Sequence, residues 1–237
     1  ALNCSQNSHH TRISSSPHSA YSGNLNFVLP SSHGTTGQLM KTDGSGNLSF
    51  VDAPSGAFVH ITSQAFPSAN NFTIDNVFSA DYVNYIMTIN MLNMTTDDTL
   101  DFVFVKSGTP DASSNYRYTL NGYQNSGSGS SSYSNGTTTF GRLFYDVDAD
   151  SEAGASGTFT IYSPFAGYQR KHISGITVVQ KGTASNTTPY FMGSDYHNGT
   201  TQAFTGIKFQ TNIGHNFRAG SVSGGYSTVS IYGVKNS

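Results

Sequence analysis

Apolar and polar residues alternate along much of the chain after residue 56. The alternation is clearest in YVNYIMTINM (82–91), LDFVFV (100–105) and ISGITVV (173–179). A period of two directs apolar side chains to one face of a strand and polar ones to the other. Because no amphipathic helix pattern intervenes, we expect an all-β fold, an antiparallel sandwich of two sheets. The predicted strands are 58–66, 72–78, 82–94, 100–106, 116–123, 137–146, 158–162, 172–180, 190–196, 203–209 and 228–234.

Residues 1–54 do not follow this alternation. Their one apolar stretch contains Leu25, Phe27, Val28 and Leu29, which is too little to form a core. We therefore predict an extended N-terminal segment, 1–54, followed by a sandwich domain, 55–237. Three copies of the apolar stretch would bury one another around an axis, so the segment is expected to assemble the chain into a homotrimer.

The composition supports the strand prediction and excludes one class of partner. The chain has 237 residues, of which 10% are charged, with 25 Gly, 14 Tyr, 16 Phe and no Trp. Ser, Thr, Asn and Gly between short apolar runs favour strands and tight turns over helices. The formal net charge is -2, and no basic face indicates a nucleic-acid partner.

Cys4 is the only cysteine, so stability is expected to come from packing and association without an intrachain disulfide. No apolar run approaches the roughly 18 residues of a membrane span, so no membrane insertion is expected. The N-terminus also lacks the basic start and apolar centre of a signal peptide. These features predict synthesis in a cytoplasm.

The segment LPSSHGTTGQLMKTDGSGNLSFVDA, residues 29–53, resembles a phrase that recurs in bacteriophage tail-fibre and other virion-fibre proteins. Phe50 stands where those proteins usually carry Trp. The resemblance implies that residues 1–54 attach the chain to other virion proteins. It also implies a location on the virion surface, after synthesis in the host cytoplasm.

The second half of the chain resembles the jelly-roll head domains at the ends of many phage fibres. The resemblance implies a jelly-roll-like sandwich, trimeric assembly and surface binding. The positions that carry it are Tyr82, Tyr85, Ile89, Gly157, Phe159, Ile161, Tyr162, Pro164, Phe204, Gly206, Ile207, Phe209, Gly220 and the closing segment 229–235.

In a jelly-roll order starting at residue 82, alternate loops gather at opposite ends of the sandwich. One end is expected to carry loops 95–99, 123–136, 163–171 and 210–227. The other is expected to carry loops 107–115, 146–157 and 181–200. A sugar site combines an aromatic face with a few fixed polar groups, so either end qualifies: the first has more aromatic residues and the second more charged ones. Binding to a host surface is expected at the first, aromatic-bearing end.

The residues predicted to bind a ligand there are Tyr123, Tyr133, Tyr168 and Arg170. The alternative is that all four are packing residues at strand ends. Loop 123–136 would then be a mobile connection rich in Gly and Ser.

Asp146, Asp148 and Asp150 place carboxylates at a period of two, and Ca²⁺ prefers several such oxygens. They are the candidate metal ligands, and the alternative is a solvated turn. No other cofactor is expected.

No arrangement of catalytic residues was found in the sequence, so the protein is not expected to be an enzyme. Two functions remain open. In the first, the chain is a short fibre that presents its jelly roll to a host-surface glycan or receptor protein. In the alternative, it is a capsid decoration, head-fibre or tail accessory protein with a mainly structural role.

Overall fold

The computed structural model contains only β-strands as regular elements in the residues it describes. The chain divides into two compact units, Ala1–Pro54 and Ser55–Ser237. The described residues are 2–3, 10–11, 24, 26–53, 56–123, 130–149, 154–167, 170–181, 186–197, 202–219, 221–222 and 225–235.

The first unit is built from two short hairpins. Strands β1 (Leu2–Asn3) and β2 (His10–Thr11) form one, and β3 (Gln38–Thr42) and β4 (Leu48–Asp52) form the other. The Asp43 carboxylate closes the second turn by accepting the backbone N–H groups of Ser45 at 2.7 Å and Asn47 at 3.1 Å. Hydrogen bonds, led by the one from the Asn47 side chain, hold the pKa of Asp43 below its ordinary value.

Among residues 24 and 26–53, no side chain is buried. Phe27, Val28 and Leu29 are exposed, although the Val28 backbone pairs with the β4 hairpin through Gly46 and Leu48. Leu25 lies outside the described residues. The side chains of Phe27, Val28 and Leu29 are therefore not covered by the described part of this unit.

The second unit has two main sheets, both fully antiparallel. Their orders are β11-β10-β15-β14-β13-β7-β19-β5 and β12-β8-β16-β6. The strands are β5 (Phe58–Ala65), β6 (Asn71–Ile74), β7 (Asn84–Leu92), β8 (Asp98–Lys106), β9 (Thr109–Pro110), β10 (Tyr116–Tyr123), β11 (Ser130–Thr138), β12 (Gly141–Val147), β13 (Ala155–Tyr162), β14 (Lys171–Lys181), β15 (Asn186–Tyr196), β16 (Gly206–Thr211), β17 (Ser221–Val222), β18 (Gly225–Tyr226) and β19 (Thr228–Val234).

An aromatic core lies between the two sheets. Phe104 of β8 stacks on Phe204 with ring centroids 4.9 Å apart, and Tyr196 of β15 meets both rings edge-on. Along β7 the side chains of Tyr85, Met87 and Ile89 are buried in alternation, as predicted, and the pattern then shifts at Met91, which has a positive φ of 49°. The expected all-β, antiparallel sandwich is confirmed.

One predicted loop contains a strand. The segment 123–136 was expected to be a connection, whereas β11 begins at Ser130 and pairs with β10. Its sequence, SSSYSNGTT, has one aromatic residue and no aliphatic one. An edge strand needs a partner on only one side and tolerates polar residues, so its hydrophobic pattern is weak.

The predicted grouping of the loops is wrong in part. The N–H of Phe204 donates to the Pro164 carbonyl at 3.0 Å, so the 163–167 loop lies at the end that carries 202–205, here called the lower end. Loops 95–97, 148–149 and 212–218 meet at the opposite, upper end. The cause is strand β11, which lies within the expected 123–136 loop: one additional strand reverses the end of the sandwich at which the next loops lie.

Candidate functional site

Three polar side chains form a row across the outer face of the eight-stranded sheet, the face directed away from the smaller sheet. Asp195 of β15 lies directly opposite Arg117 of β10 on one side and His172 of β14 on the other. Directly opposed residues of one face have Cβ atoms about 4.5–5.5 Å apart. The row therefore brings a carboxylate, a guanidinium and an imidazole together.

A glycine lies in the next row of the same face. Gly193 is opposite Thr119 on one side and Ser174 on the other, and a Cβ added to Gly193 would meet no atom within 4 Å. The missing side chain leaves an open groove of about 330 Å³. This depression, lined by Arg117, Thr119, His172, Ser174, Gly193 and Asp195, is here called the Gly193 groove.

The third row of the same face is apolar and lies just beyond the lining of the groove. Phe191 faces Ile176 across β15 and β14, and their side chains are 59% and 55% exposed. Alternate residues of a strand are about 6.6–6.8 Å apart. The Cα atom of Gly193 is therefore roughly that distance from the Cα atom of Phe191 on one side and from that of Asp195 on the other. A flat ring bound over Gly193 would meet an aromatic face at one edge and polar groups at the other.

The polar side chains of the groove are available to a ligand. Within the described residues, Arg117, His172 and Asp195 have no hydrogen-bond or ion-pair partner for their side chains. Ser174 donates a long hydrogen bond of 3.5 Å to the Tyr162 hydroxyl, and Tyr162 is itself partly exposed beside His172.

A second polar group contrasts with the groove, and we call it the Arg142 cluster: Arg142, Asp101, Asn212, Tyr118 and Phe140. Arg142 donates to both carboxylate oxygens of Asp101, at 2.7 and 3.1 Å, and to the Asn212 side chain at 3.2 Å. Its guanidinium lies 5.0 Å from the Tyr118 ring centre and 5.3 Å from that of Phe140. Burial raises the pKa of Asp101 to about 6, against the opposing effect of Arg142.

The hydrogen-bonding capacity of Asp98 is also used within the protein. Its buried carboxylate accepts the backbone N–H groups of Thr99, Asn212, Ile213 and His215 at 2.7–3.3 Å. It thereby fixes the 212–215 loop at the upper end. A cleft of about 270 Å³ opens beside these groups, but its strongest hydrogen-bonding side chains already have partners.

The structure separates the residues predicted to bind a ligand. Tyr133 lies in β11, stacked on Tyr145 with centroids 3.5 Å apart and packed against the core. Tyr123 ends β10, and Tyr168 lies outside the described residues. Arg170 is exposed immediately before β14, two residues from His172, so it lies near one margin of the Gly193 groove without lining it. Tyr133 and Arg170 therefore do not share one surface.

Asp146 and Asp148 lie at and after the end of β12, and Asp150 lies outside the described residues. Asp146 has a positive φ of 59°, which suits a tight bend. No group of three or more His, Cys, Asp or Glu side chains is placed to hold a metal ion in the part of the chain that the structure describes.

The sequence prediction missed the Gly193 groove because its members come from three strands. The alternation in YFMGSDY (190–196) does put Phe191, Gly193 and Asp195 on one face. Which neighbours face them depends on the register with β10 and β14. That register was not contained in any local pattern.

Comparisons with protein-family models, curated proteins and solved structures gave no significant match. A search of the described residues also found no helix with the length and apolar character of a membrane span.

Proposed function

We propose that this chain is a phage virion protein, a short fibre whose sandwich binds a host-surface glycan in the Gly193 groove. The observation that carries this proposal is a glycine floor between the exposed Phe191 ring and three unpartnered polar side chains. Sugars present apolar ring faces together with hydroxyl groups, and sites for them combine aromatic contacts with a few fixed polar groups. The resemblance of residues 29–53 to virion fibres supports the location.

The strand order supports assignment of the sandwich as a jelly roll. The subset β5-β19-β7-β13 faces β6-β16-β8-β12, and the chain moves between these two four-stranded sets as in a double Greek key. Strands β14, β15, β10 and β11 then extend the first set at one side. The Gly193 groove lies on that extension, so its residues do not form the central core.

The first unit is proposed as the attachment and assembly element. Its exposed Phe27, Val28 and Leu29 support burial against other copies in a homotrimer or against another virion protein. An isolated two-stranded hairpin is marginally stable in water, so such contacts would also stabilise β3 and β4.

The alternative, a decoration or accessory protein, is favoured by one feature. Ile176, Val178 and Phe191 form an exposed apolar patch on β14 and β15. Such a patch suits packing against a neighbouring virion subunit. In that case Phe191 would contact protein and no sugar.

The test is to fill the groove without disturbing the fold. Gly193→Leu adds a side chain where a Cβ meets no atom, and Gly56→Leu adds one before β5, at the opposite edge of the same sheet, where a Cβ makes only an ordinary contact at 3.6 Å. We expect Gly193→Leu to abolish binding of the purified protein to host cells and to extracted surface glycans, with Gly56→Leu unchanged. Equal binding by both variants, or no binding by the native protein, would favour the decoration role.

A further inference from the structure

The structure divides its described arginines into two groups. Arg142 is fixed by its carboxylate partner, and Arg218 donates to a side-chain amide oxygen at 2.8 Å and to a backbone carbonyl at 2.7 Å. Arg117 and Arg170 are exposed, and neither has a side-chain partner within the described residues. Arg117 lines the Gly193 groove, and Arg170 lies just outside it, two residues from the lining residue His172.

The register brings these two arginines to the same side of the groove. Arg117 is two strands away from β14, and Arg170 precedes His172 by two residues. From strand spacings of about 4.8 Å and a rise of about 3.3 Å per residue, their Cα atoms are roughly 12 Å apart. Two long side chains can span that separation and converge on one bound group.

The local charge balance indicates the sign of the ligand. Asp195 is the one carboxylate among the described residues that line the groove, whereas Arg117 and Arg170 each carry a full positive charge. We propose that the ligand is an acidic glycan, whose uronate carboxylate is held between Arg117 and Arg170. This inference rests on the proposed function and adds the chemical class of the ligand.

The arginines, Asp195 and Phe191 then have separate roles in binding. A guanidinium presents parallel N–H donors that match both oxygens of a carboxylate, and such charge-assisted bonds are stronger than bonds to neutral groups. Asp195 accepts hydrogen bonds from sugar hydroxyls, and Phe191 packs against a ring face. The interaction with the arginines is exposed and is therefore weakened by salt.

The experiment compares acidic polysaccharides with neutral forms of the same chains. Polygalacturonate, alginate and hyaluronate are immobilised beside carboxyl-reduced samples of each, in which every carboxylate is replaced by a hydroxymethyl group. The full-length protein is expected to bind at least one acidic member and to bind its reduced form at least tenfold more weakly, with binding that falls as salt increases. Equal or stronger binding to reduced or neutral glycans would overturn the acidic assignment and leave the proposed function intact.

Variants that each remove one positive charge test which arginines bind the carboxylate of the glycan. Arg117→Gln and Arg170→Gln are each expected to weaken binding to the acidic glycan about tenfold and to leave any residual binding to its reduced form unchanged. Lys208→Gln on β16 removes the same charge elsewhere and should have no effect. An equal loss in all three variants would overturn the assignment. Absence of binding to these polymers and to extracted host glycans alike would instead refute the proposed function.

Discussion

The Arg142 cluster and the Gly193 groove use the same kinds of side chain in opposite ways. Arg142 and Asp101 are buried and bonded to each other at 2.7 and 3.1 Å, and aromatic rings surround the guanidinium. Arg117 and Asp195 are also cross-strand neighbours, yet no bond between them is formed and both remain accessible. Residue type therefore does not distinguish a buried structural contact from an accessible, unpartnered polar group in this protein. Burial and partners do.

The largest expected effect comes from breaking the buried pair. Arg142→Ala leaves the Asp101 carboxylate buried without its counter-ion, so the free energy of unfolding should fall by about 3–5 kcal/mol. Urea denaturation followed by circular dichroism measures the change. A loss below about 1 kcal/mol, typical of a surface pair, would mean that Arg142 and Asp101 resemble the groove residues more than we infer.

The Arg142 cluster should make a contribution to stability that depends on pH. The pKa of Asp101 is raised from 3.8 to about 6 in the folded protein, so the folded state binds this proton more tightly than the unfolded state. Its contribution is then fully present below about pH 4 and is lost as the pH rises through 6, by at most about 3 kcal/mol.

Denaturation at pH 4, 5, 6 and 7 tests this prediction against Asp101→Asn, which cannot titrate. We expect the decline in the free energy of unfolding between pH 4 and 6 to be smaller in the variant than in the native protein. Superimposable profiles for the native protein and Asp101→Asn would exclude the carboxyl group as the source.

A smaller difference in stability is expected between substitutions at two glycines, one packed against a ring and one facing open space. A Cβ on Gly141 would overlap the Phe102 ring, whereas a Cβ on Gly193 meets no atom within 4 Å. Gly141→Ala should therefore destabilise the protein by about 1–3 kcal/mol through overpacking. Gly193→Ala should be neutral or slightly stabilising, because alanine costs less backbone entropy than glycine. Thermal denaturation of both variants compares them directly, and a reversed order would contradict the described packing.

The smallest expected change in stability is that of Arg117→Gln, in contrast to the large effect of Arg142→Ala. Arg117→Gln removes an exposed side chain without a partner, so the free energy of unfolding should change by less than about 0.5 kcal/mol. The same denaturation assay used for Arg142→Ala gives the value. A loss of several kcal/mol would show that Arg117 is a structural residue, and the groove would then lose one of its binding groups.

The sheet class was predictable because alternation is a local property. The runs at 82–91 and 100–105 each predict a strand without reference to distant residues, and β7 and β8 lie there. Burial follows the alternation in β7 as far as Ile89, whereas every residue of β8 from Asp98 to Val105 is buried, so the expected solvent-facing side of that strand is wrong. Strand β11 was not predictable from apolar periodicity, because hydrogen bonds to β10 define it more than buried side chains do.

Of the residues in or beside the Gly193 groove, only Arg170 was predicted from the sequence. Arg170 was named from the sequence and lies beside the groove, but Tyr133 was expected at a loop tip and instead stacks on Tyr145. An aromatic residue next to Gly and Ser has the same local pattern whether it is exposed or covers an edge. The difference arises because Tyr145 of β12 packs against Tyr133 of β11. A local sequence pattern does not encode this contact between two strands.

The polar sequence of β11 has a consequence for chains held close together. An open sheet edge presents unpaired N–H and C=O groups, and apolar edges are templates for intermolecular pairing and aggregation. Strand β11 contains only Ser, Tyr, Asn, Gly and Thr, and its single aromatic ring, Tyr133, is turned inward onto Tyr145. Many copies could therefore be concentrated side by side without this edge recruiting a neighbour into an amyloid-like ladder.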